Sequence, residues 1–121
     1  MKIRDAAAVS GLSIDTIRFY ERAGMLPEVA RDKRGWRNFD AGLIEWLQNL
    51  EKLHSTAMPL KDMKRFAELV HGSADSSPER ISILTRHAER LAQRRAELDA
   101  CETYLQHKIA VYSAKGSPDN V

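Results

Sequence analysis

The sequence has few of the features that mark secreted, disulfide-bonded or membrane proteins. Cys101 is the single cysteine among 121 residues, so an internal disulfide is excluded and the fold must depend on packing. No apolar run approaches the ~20 residues that span a bilayer, and the first residues do not form the charged and apolar regions of a signal peptide. These absences predict a cytoplasmic protein without a membrane partner.

A strong excess of charge is also lacking. The formal net charge of +2 says little about a nucleic-acid partner. The local distribution is more informative, because cations cluster around one aromatic residue in a short turn-like stretch that contains Arg31, Lys33, Arg34, Trp36 and Arg37. The length and a hydrophobic fraction of 43% predict one compact domain with a modest extension.

Two short helices are predicted at the N-terminus. Apolar residues, Val9 among them, recur at helical spacing over residues 3–10, and Gly11 follows where a left-handed residue can end a helix. Ser13 can then cap a second helix that runs to about Arg22, because its side chain can accept a hydrogen bond from a free helical N–H group. The short glycine-containing turn between these helices is typical of a helix-turn-helix.

A small wing and two connector helices are predicted next. Residues 28–39 contain a polar centre and an alternating segment, which is typical of a two-stranded β-hairpin. Asp40 can cap a third helix, whose leucines recur every three or four residues. Pro59 starts a fourth helix, which is expected to end at Gly72.

A long polar helix is predicted to open at Ser77 and Pro78 as its cap and first residue. Its most specific feature is an apolar residue at every seventh position: Leu84, Leu91, Leu98, Leu105 and Tyr112. This stripe is narrower than a helix needs in a globular core. Pairing with the same helix of a second chain would bury the leucines, so a homodimer through a coiled coil is predicted.

The predicted fold class is therefore mainly α. A winged helix-turn-helix with a small β-hairpin wing is followed by a two-helix connector and a long dimerisation helix. In domain terms, residues 1–71 are expected to form the DNA-binding domain with its connector helices. Residues 77–113 form the dimerisation helix, and residues 114–121 are expected to be a disordered tail.

Four segments in this order resemble the signature of the MerR transcription regulators. They are Thr-Ile-Arg-Phe-Tyr-Glu at 16–21, Ala-Gly-Met-Leu-Pro at 23–27, Gly-Trp-Arg-Asn-Phe at 35–39 and Met-Pro-Leu-Lys-Asp-Met at 58–63. The resemblance implies a homodimer on a pseudo-palindromic promoter element between the two polymerase boxes. It further implies that the regulator bends and untwists an overlong spacer, and so acts on RNA polymerase indirectly, through the promoter.

The second helix carries three candidate DNA contacts. Arg18 lies on its outward face, where a guanidinium can reach a guanine edge or a phosphate, although without the family motif a solvated arginine is the better interpretation. Thr16 lies near the helix N-terminus, where helix-turn-helix proteins contact bases. Tyr20 can pack its ring in the core while its hydroxyl bonds a phosphate, and the two roles are compatible.

The wing and the fourth helix carry the other candidates. The resemblance makes Arg37 the wing arginine that binds a phosphate, and Lys33, Arg34 and Trp36 complete this predicted contact. Such contacts would give affinity that is independent of sequence and sensitive to salt, whereas the alternative is a solvated run of charges. Lys61, on the first turn of the fourth helix, can touch a flanking phosphate or face solvent.

The sequence identifies no effector. Metal-sensing relatives carry thiolate ligands near the end of the long helix, and neither cysteine nor histidine follows Tyr112, so no metal site and no cofactor are predicted. Other segments resemble the aldehyde- or thiol-stress branch of the family, but Lys52 stands where that branch has a cysteine. Cys101 lies at the seam edge, where a small apolar residue is the favoured interpretation and a redox thiol the alternative.

An alternative hypothesis is that the protein is an interaction module rather than a regulator. It would form a coiled coil, use its helix-turn-helix only for packing and bind DNA only nonspecifically. An enzyme is not predicted, because no nucleophile, carboxylate pair or metal cluster converges at a recognisable spacing. The leading hypothesis is a sequence-specific DNA-binding transcription regulator.

Overall fold

The computed structural model describes residues 1–27 and 33–115, and within them the chain is mainly helical, as the sequence predicted. The helices, in chain order, are α1 (Ile3–Ser10), α2 (Ile14–Arg22), α3 (Ala41–Ser55), α4 (Leu60–His71) and α5 (Ser77–Lys115). A search of the described residues finds no helix with the length and apolarity that crossing a membrane requires.

Local chemistry ends α1 and starts α2 and α3 where the sequence placed these boundaries, whereas α5 starts at Ser77, one residue before the predicted first residue Pro78. Gly11 takes a left-handed φ of 81° after α1, a conformation that glycine adopts without a steric penalty. The Ser13 side chain accepts a hydrogen bond from the Thr16 amide at 3.0 Å, and Asp40 Oδ1 accepts one from the Leu43 amide at 2.8 Å. These bonds satisfy helical N–H groups that lack an intrahelical partner.

The chain divides into two compact units, and the boundary between them lies within α5. The first, Met1–Ile83, contains α1 to α4 and the first turns of α5. The second starts at Leu84 and contains the rest of α5. The helix continues to Lys115, so residues 114 and 115 of the expected tail are helical, while residues 116–121 lie outside the described part.

The core of the first unit is built mainly from the inner faces of α2, α3 and α4. The largest fully buried side chains are Tyr20, Phe39, Ile17, Met25, Leu47, Leu50, Met63 and Ile83. In α1 only Ala6 is buried, and Val9, one of the apolar residues at helical spacing, is 60% exposed. The core therefore holds the apolar face of α2 firmly and leaves its polar face outward.

A second contact holds the chain just after α2. Trp46 Nε1 donates a hydrogen bond to the Met25 carbonyl at 2.8 Å, and the Trp46 and His71 rings lie edge to face with centroids 4.7 Å apart. Partial shielding of its ring from water lowers the pKa of His71, although a hydrogen bond to the Met25 backbone acts in the opposite direction. Side chains of α3 and α4 thus fix the point where the chain leaves α2.

The turn between α3 and α4 contains a strained residue. Ala57 has a φ of 65°, in the left-handed region, where a Cβ crowds the backbone. Its amide donates to the His54 carbonyl at 3.0 Å, and the Met58 amide donates to the Leu53 carbonyl at 3.0 Å. These two bonds close the end of α3 and fix Ala57 in this conformation.

We expect Ala57→Gly to stabilise the protein by roughly 1 kcal/mol, because glycine removes the Cβ penalty at a positive φ. Thermal or urea unfolding of the two proteins measures the difference. Ala8→Gly, at an exposed position inside α1, is the matched control and should cost about 1 kcal/mol. Equal destabilisation by both substitutions would show that Ala57 carries no backbone strain.

Candidate nucleic-acid interface

Helix α2 presents a polar face to solvent. Ile17 and Tyr20 are fully buried, whereas Asp15 and Arg18 are exposed on the other side. The Ser13 hydroxyl that caps the helix also donates a hydrogen bond to the Thr16 hydroxyl at 2.8 Å. Thr16 and Arg18 are therefore held on a short rigid helix, at positions from which side chains can reach a DNA groove.

A groove of about 670 Å³ runs between the start of α1, the outer face of α2 and the wing. It brings together Arg18, Trp36 and Arg37, which the sequence predicted as DNA contacts from two separate segments. Lys2 and Arg4 line it as well. The sequence did not predict either residue as a DNA contact, because both precede every recognised motif. Their proximity to the wing is visible only in the folded chain.

The described half of the wing is anchored to the beginning of the chain. Gly35 has a left-handed φ of 79° at a turn. The second strand of the predicted β-hairpin is reduced to an isolated β-bridge at Arg37. The Phe39 amide donates a hydrogen bond to the Met1 carbonyl at 2.7 Å. Residues 28–32, which include Arg31 and the first predicted wing strand, lie outside the described residues.

Trp36 forms an exposed aromatic surface between cations. Its side chain is 52% exposed. The Lys2 ammonium lies 3.9 Å from the centroid of its ring, and the Arg34 guanidinium lies 5.8 Å from it. Since cation–π contacts favour such positions of basic side chains, this cluster places positive charge beside the groove.

Arg37 is bound within the protein. Its Nη1 donates a hydrogen bond to the Pro27 carbonyl at 3.0 Å, and its guanidinium forms an ion pair with Glu21 of α2. The side chain is only 15% exposed. The structure therefore gives Arg37 a role in joining the wing to α2, in addition to the phosphate contact that the resemblance implied.

Tyr20 differs most from its predicted role. It is fully buried, and its hydroxyl donates a hydrogen bond to Glu51 Oε2 at 2.6 Å. Burial, followed by the hydrogen bond and the negative charge of Glu51, raises the pKa of Tyr20 above its usual value. The predicted phosphate contact is corrected accordingly: this hydroxyl is occupied by a carboxylate of α3.

Besides Tyr20, four predicted DNA contacts do not line the groove: Thr16, Lys33, Arg34 and Lys61. Lys33 is exposed in the wing turn, and Lys61 is exposed on the first turn of α4. Their phosphate contacts stay predictions.

In the second unit, the seven-residue repeat is largely exposed. Leu98 is 65% exposed, Leu84 and Leu105 are also exposed, and Leu91 and Tyr112 are half-buried. Cys101 is exposed as well. In the single chain it is therefore not the buried small apolar residue that the sequence favoured. Among the described residues, no group of three histidine, cysteine or acidic side chains could hold a metal ion.

Comparison with known proteins points to one family. Residues 1–69 match the MerR HTH family regulatory protein family. The chain is 39% identical over 107 residues to an HTH-type transcriptional regulator of Haemophilus influenzae, covering 88% of this chain and 79% of the relative. It is 31% identical to the HTH-type regulator YyaN of Bacillus subtilis, covering 91% of this chain and 88% of YyaN.

Solved structures agree with this result. The fold matches HiNmlR, described as a MerR family regulator lacking the sensor domain, bound to promoter DNA. The TM-score is 0.83 with 36% identity, and the match covers 99% of this chain and 98% of HiNmlR. A MerR family regulator from Listeria monocytogenes gives a TM-score of 0.88 at 25% identity, covering 95% of this chain and 87% of its own. These relatives are regulators, which confirms the prediction of a regulator rather than an enzyme.

We expect Tyr20→Phe to destabilise the protein by about 1 to 3 kcal/mol, because it leaves a half-buried carboxylate without its donor. The salt dependence of DNA binding should not change, since the hydroxyl already bonds Glu51. Urea unfolding and DNA titrations at several salt concentrations measure both effects. If Tyr20→Phe instead lowered the slope of log K against log salt by about one and left stability unchanged, the Tyr20 hydroxyl would be shown to bind a phosphate.

Proposed function

Because the chain belongs to the MerR family of helix-turn-helix regulators, we propose that it is a sequence-specific transcription regulator that binds promoter DNA as a homodimer. The observation that carries this proposal is the convergence of Arg18 from α2 with Trp36 and Arg37 from the wing at one groove. A helix that can enter a DNA groove and a basic element that can hold the adjacent backbone are what such recognition needs.

The proposed contacts divide by chemistry. Arg18 and Thr16 read base edges from α2, because a guanidinium matches the paired acceptors of guanine and a hydroxyl can bond either a base or a phosphate. Lys33, Arg34 and Lys61 neutralise phosphates, which gives affinity without sequence information. To these we add Lys2, because its ammonium is held over the ring of Trp36 at the same groove.

The second unit supports dimerisation. Its repeat of apolar residues leaves leucines exposed along a polar helix, and burial of one leucine side chain is worth roughly 1.5 to 3 kcal/mol. Pairing with α5 of a second chain buries them without a change of fold. The dimer places two copies of α2 on a pseudo-palindromic site, since protein symmetry and site symmetry must agree.

Promoter distortion is part of the proposal. Bending and untwisting a spacer costs several kcal/mol, which a dimer can offset through phosphate contacts on both half-sites. Such a regulator influences RNA polymerase through the geometry of the promoter. HiNmlR, which is similar over nearly the whole chain, is described as bound to promoter DNA, and this similarity supports the proposal.

An anisotropy titration tests DNA binding directly, using DNA from upstream of the protein's own gene and a scrambled duplex at two salt concentrations. We expect tighter binding to the promoter DNA. Arg18→Gln should lower promoter affinity and relax base preference, whereas Lys33→Gln should weaken both duplexes equally and reduce the salt slope by about 0.9. Equal affinity of the wild type for both duplexes would instead indicate a coiled-coil module with nonspecific DNA binding.

Leu98→Lys tests the dimer. A charge in the buried seam should convert the dimer to a 13.7 kDa monomer and lower promoter affinity, while the first unit stays folded. Thr103→Lys is the matched control, because Thr103 is exposed and lies off the seven-residue repeat. Light scattering measures the mass. If both variants remain dimeric, or if the wild type is monomeric at micromolar concentration, the proposed coiled coil is wrong.

A further inference from the structure

Glu21 is one of two acidic residues, with Asp5, that line a groove otherwise rich in cations. It lies on the last turn of α2 and lines the same groove as Arg18 and Trp36. A carboxylate at this place repels DNA phosphates, so taken alone it lowers affinity for every sequence. Its presence among the predicted DNA contacts therefore needs a physical reason.

The ion pair with Arg37 supplies that reason. The Arg37 guanidinium is held by the Glu21 carboxylate of α2 and by the Pro27 carbonyl, which follows α2 in the chain. Two anchors on one planar group fix its orientation as well as its position. Because Phe39, two positions after Arg37, is buried in the core, the second half of the wing is fastened at two points.

These contacts set the spacing between the two proposed DNA-binding elements. Arg18 lies three residues before Glu21 on the same face of α2, and Trp36 precedes Arg37 in the wing. The Glu21 to Arg37 pair therefore ties the part of the interface that reads bases to the part that binds the backbone. A side chain that contacts a ligand is placed most accurately when neighbouring groups hold that side chain in position.

We infer that Glu21 is a positioning residue for DNA specificity, which acts through Arg37 and rests on the DNA binding proposed above. The carboxylate holds the wing at the spacing that fits one bound geometry. It also keeps the Arg37 guanidinium from turning towards phosphates that lie outside that geometry. Glu21 thus lowers affinity for DNA in general and raises the preference for the correct site, as repulsive elements do in specific interfaces.

The test compares Glu21→Gln with Asp5→Asn, which removes the same charge from the same groove. Both variants should bind scrambled DNA more tightly, because a negative charge is lost. Only Glu21→Gln should lower the ratio of promoter to scrambled affinity, by about tenfold, comparable to the loss from one mismatched base pair. On scrambled DNA its salt slope should become steeper by about 0.9, since Arg37 can then turn to one additional phosphate there.

A double variant shows whether Glu21 acts through Arg37. In an Arg37→Gln background, Glu21→Gln should leave the ratio unchanged, because the pair is already broken. Glu21→Asp retains the charge but shortens the reach, so it should lower the ratio while tightening nonspecific binding less than Glu21→Gln does. Circular dichroism establishes that each variant is folded, and Glu21→Asp provides the comparison if Glu21→Gln does not fold.

The outcomes separate this inference from the proposed function. If the wild type does not distinguish promoter from scrambled DNA, the proposed function fails. If the wild type distinguishes them and Glu21→Gln behaves like Asp5→Asn, only the positioning role is overturned. An unchanged effect of Glu21→Gln in the Arg37→Gln background would show that the carboxylate acts directly on DNA, which also overturns it.

Discussion

The interface depends on the burial of one face of a very short helix. Helix α2 has nine residues, and isolated helices of that length are marginal in water. Its stability comes from Ile17 and Tyr20, which are fully buried, and from the bond between Tyr20 and Glu51. Because these contacts fix the rotation of α2 about its own axis, Arg18 faces outward on a rigid support.

Local rules predicted most of the fold, because they act within a few residues. Ser13 and Asp40 were recognisable as helix caps, and Gly11 as a helix stop, since each function depends on side-chain type and immediate position alone. The left-handed Ala57 was not predictable. Alanine carries no signal for that conformation, which is imposed by the bonds that close the end of α3.

The candidate site was predictable only in part, because its remaining features depend on contacts distant in sequence. Arg18 and Trp36 were found from motifs in single segments. The link between Arg37 and Glu21, 16 positions earlier in the chain, and the approach of Lys2 to Trp36 appear only when the elements pack. For Tyr20 the pattern was compatible with both a core residue and a phosphate contact, and the proximity of Glu51 decided between them.

Size gives a physical reason for the proposed dimer. One nine-residue helix and one short wing can contact only a few base pairs, and single DNA-binding modules bury roughly 600 to 1,000 Å². A genome offers many sites that satisfy so short a pattern by chance. Joining two modules makes the second contact intramolecular, which multiplies selectivity without new chemistry. A long helix whose leucines remain exposed in the single chain is therefore as necessary to the proposed recognition as the residues that touch DNA.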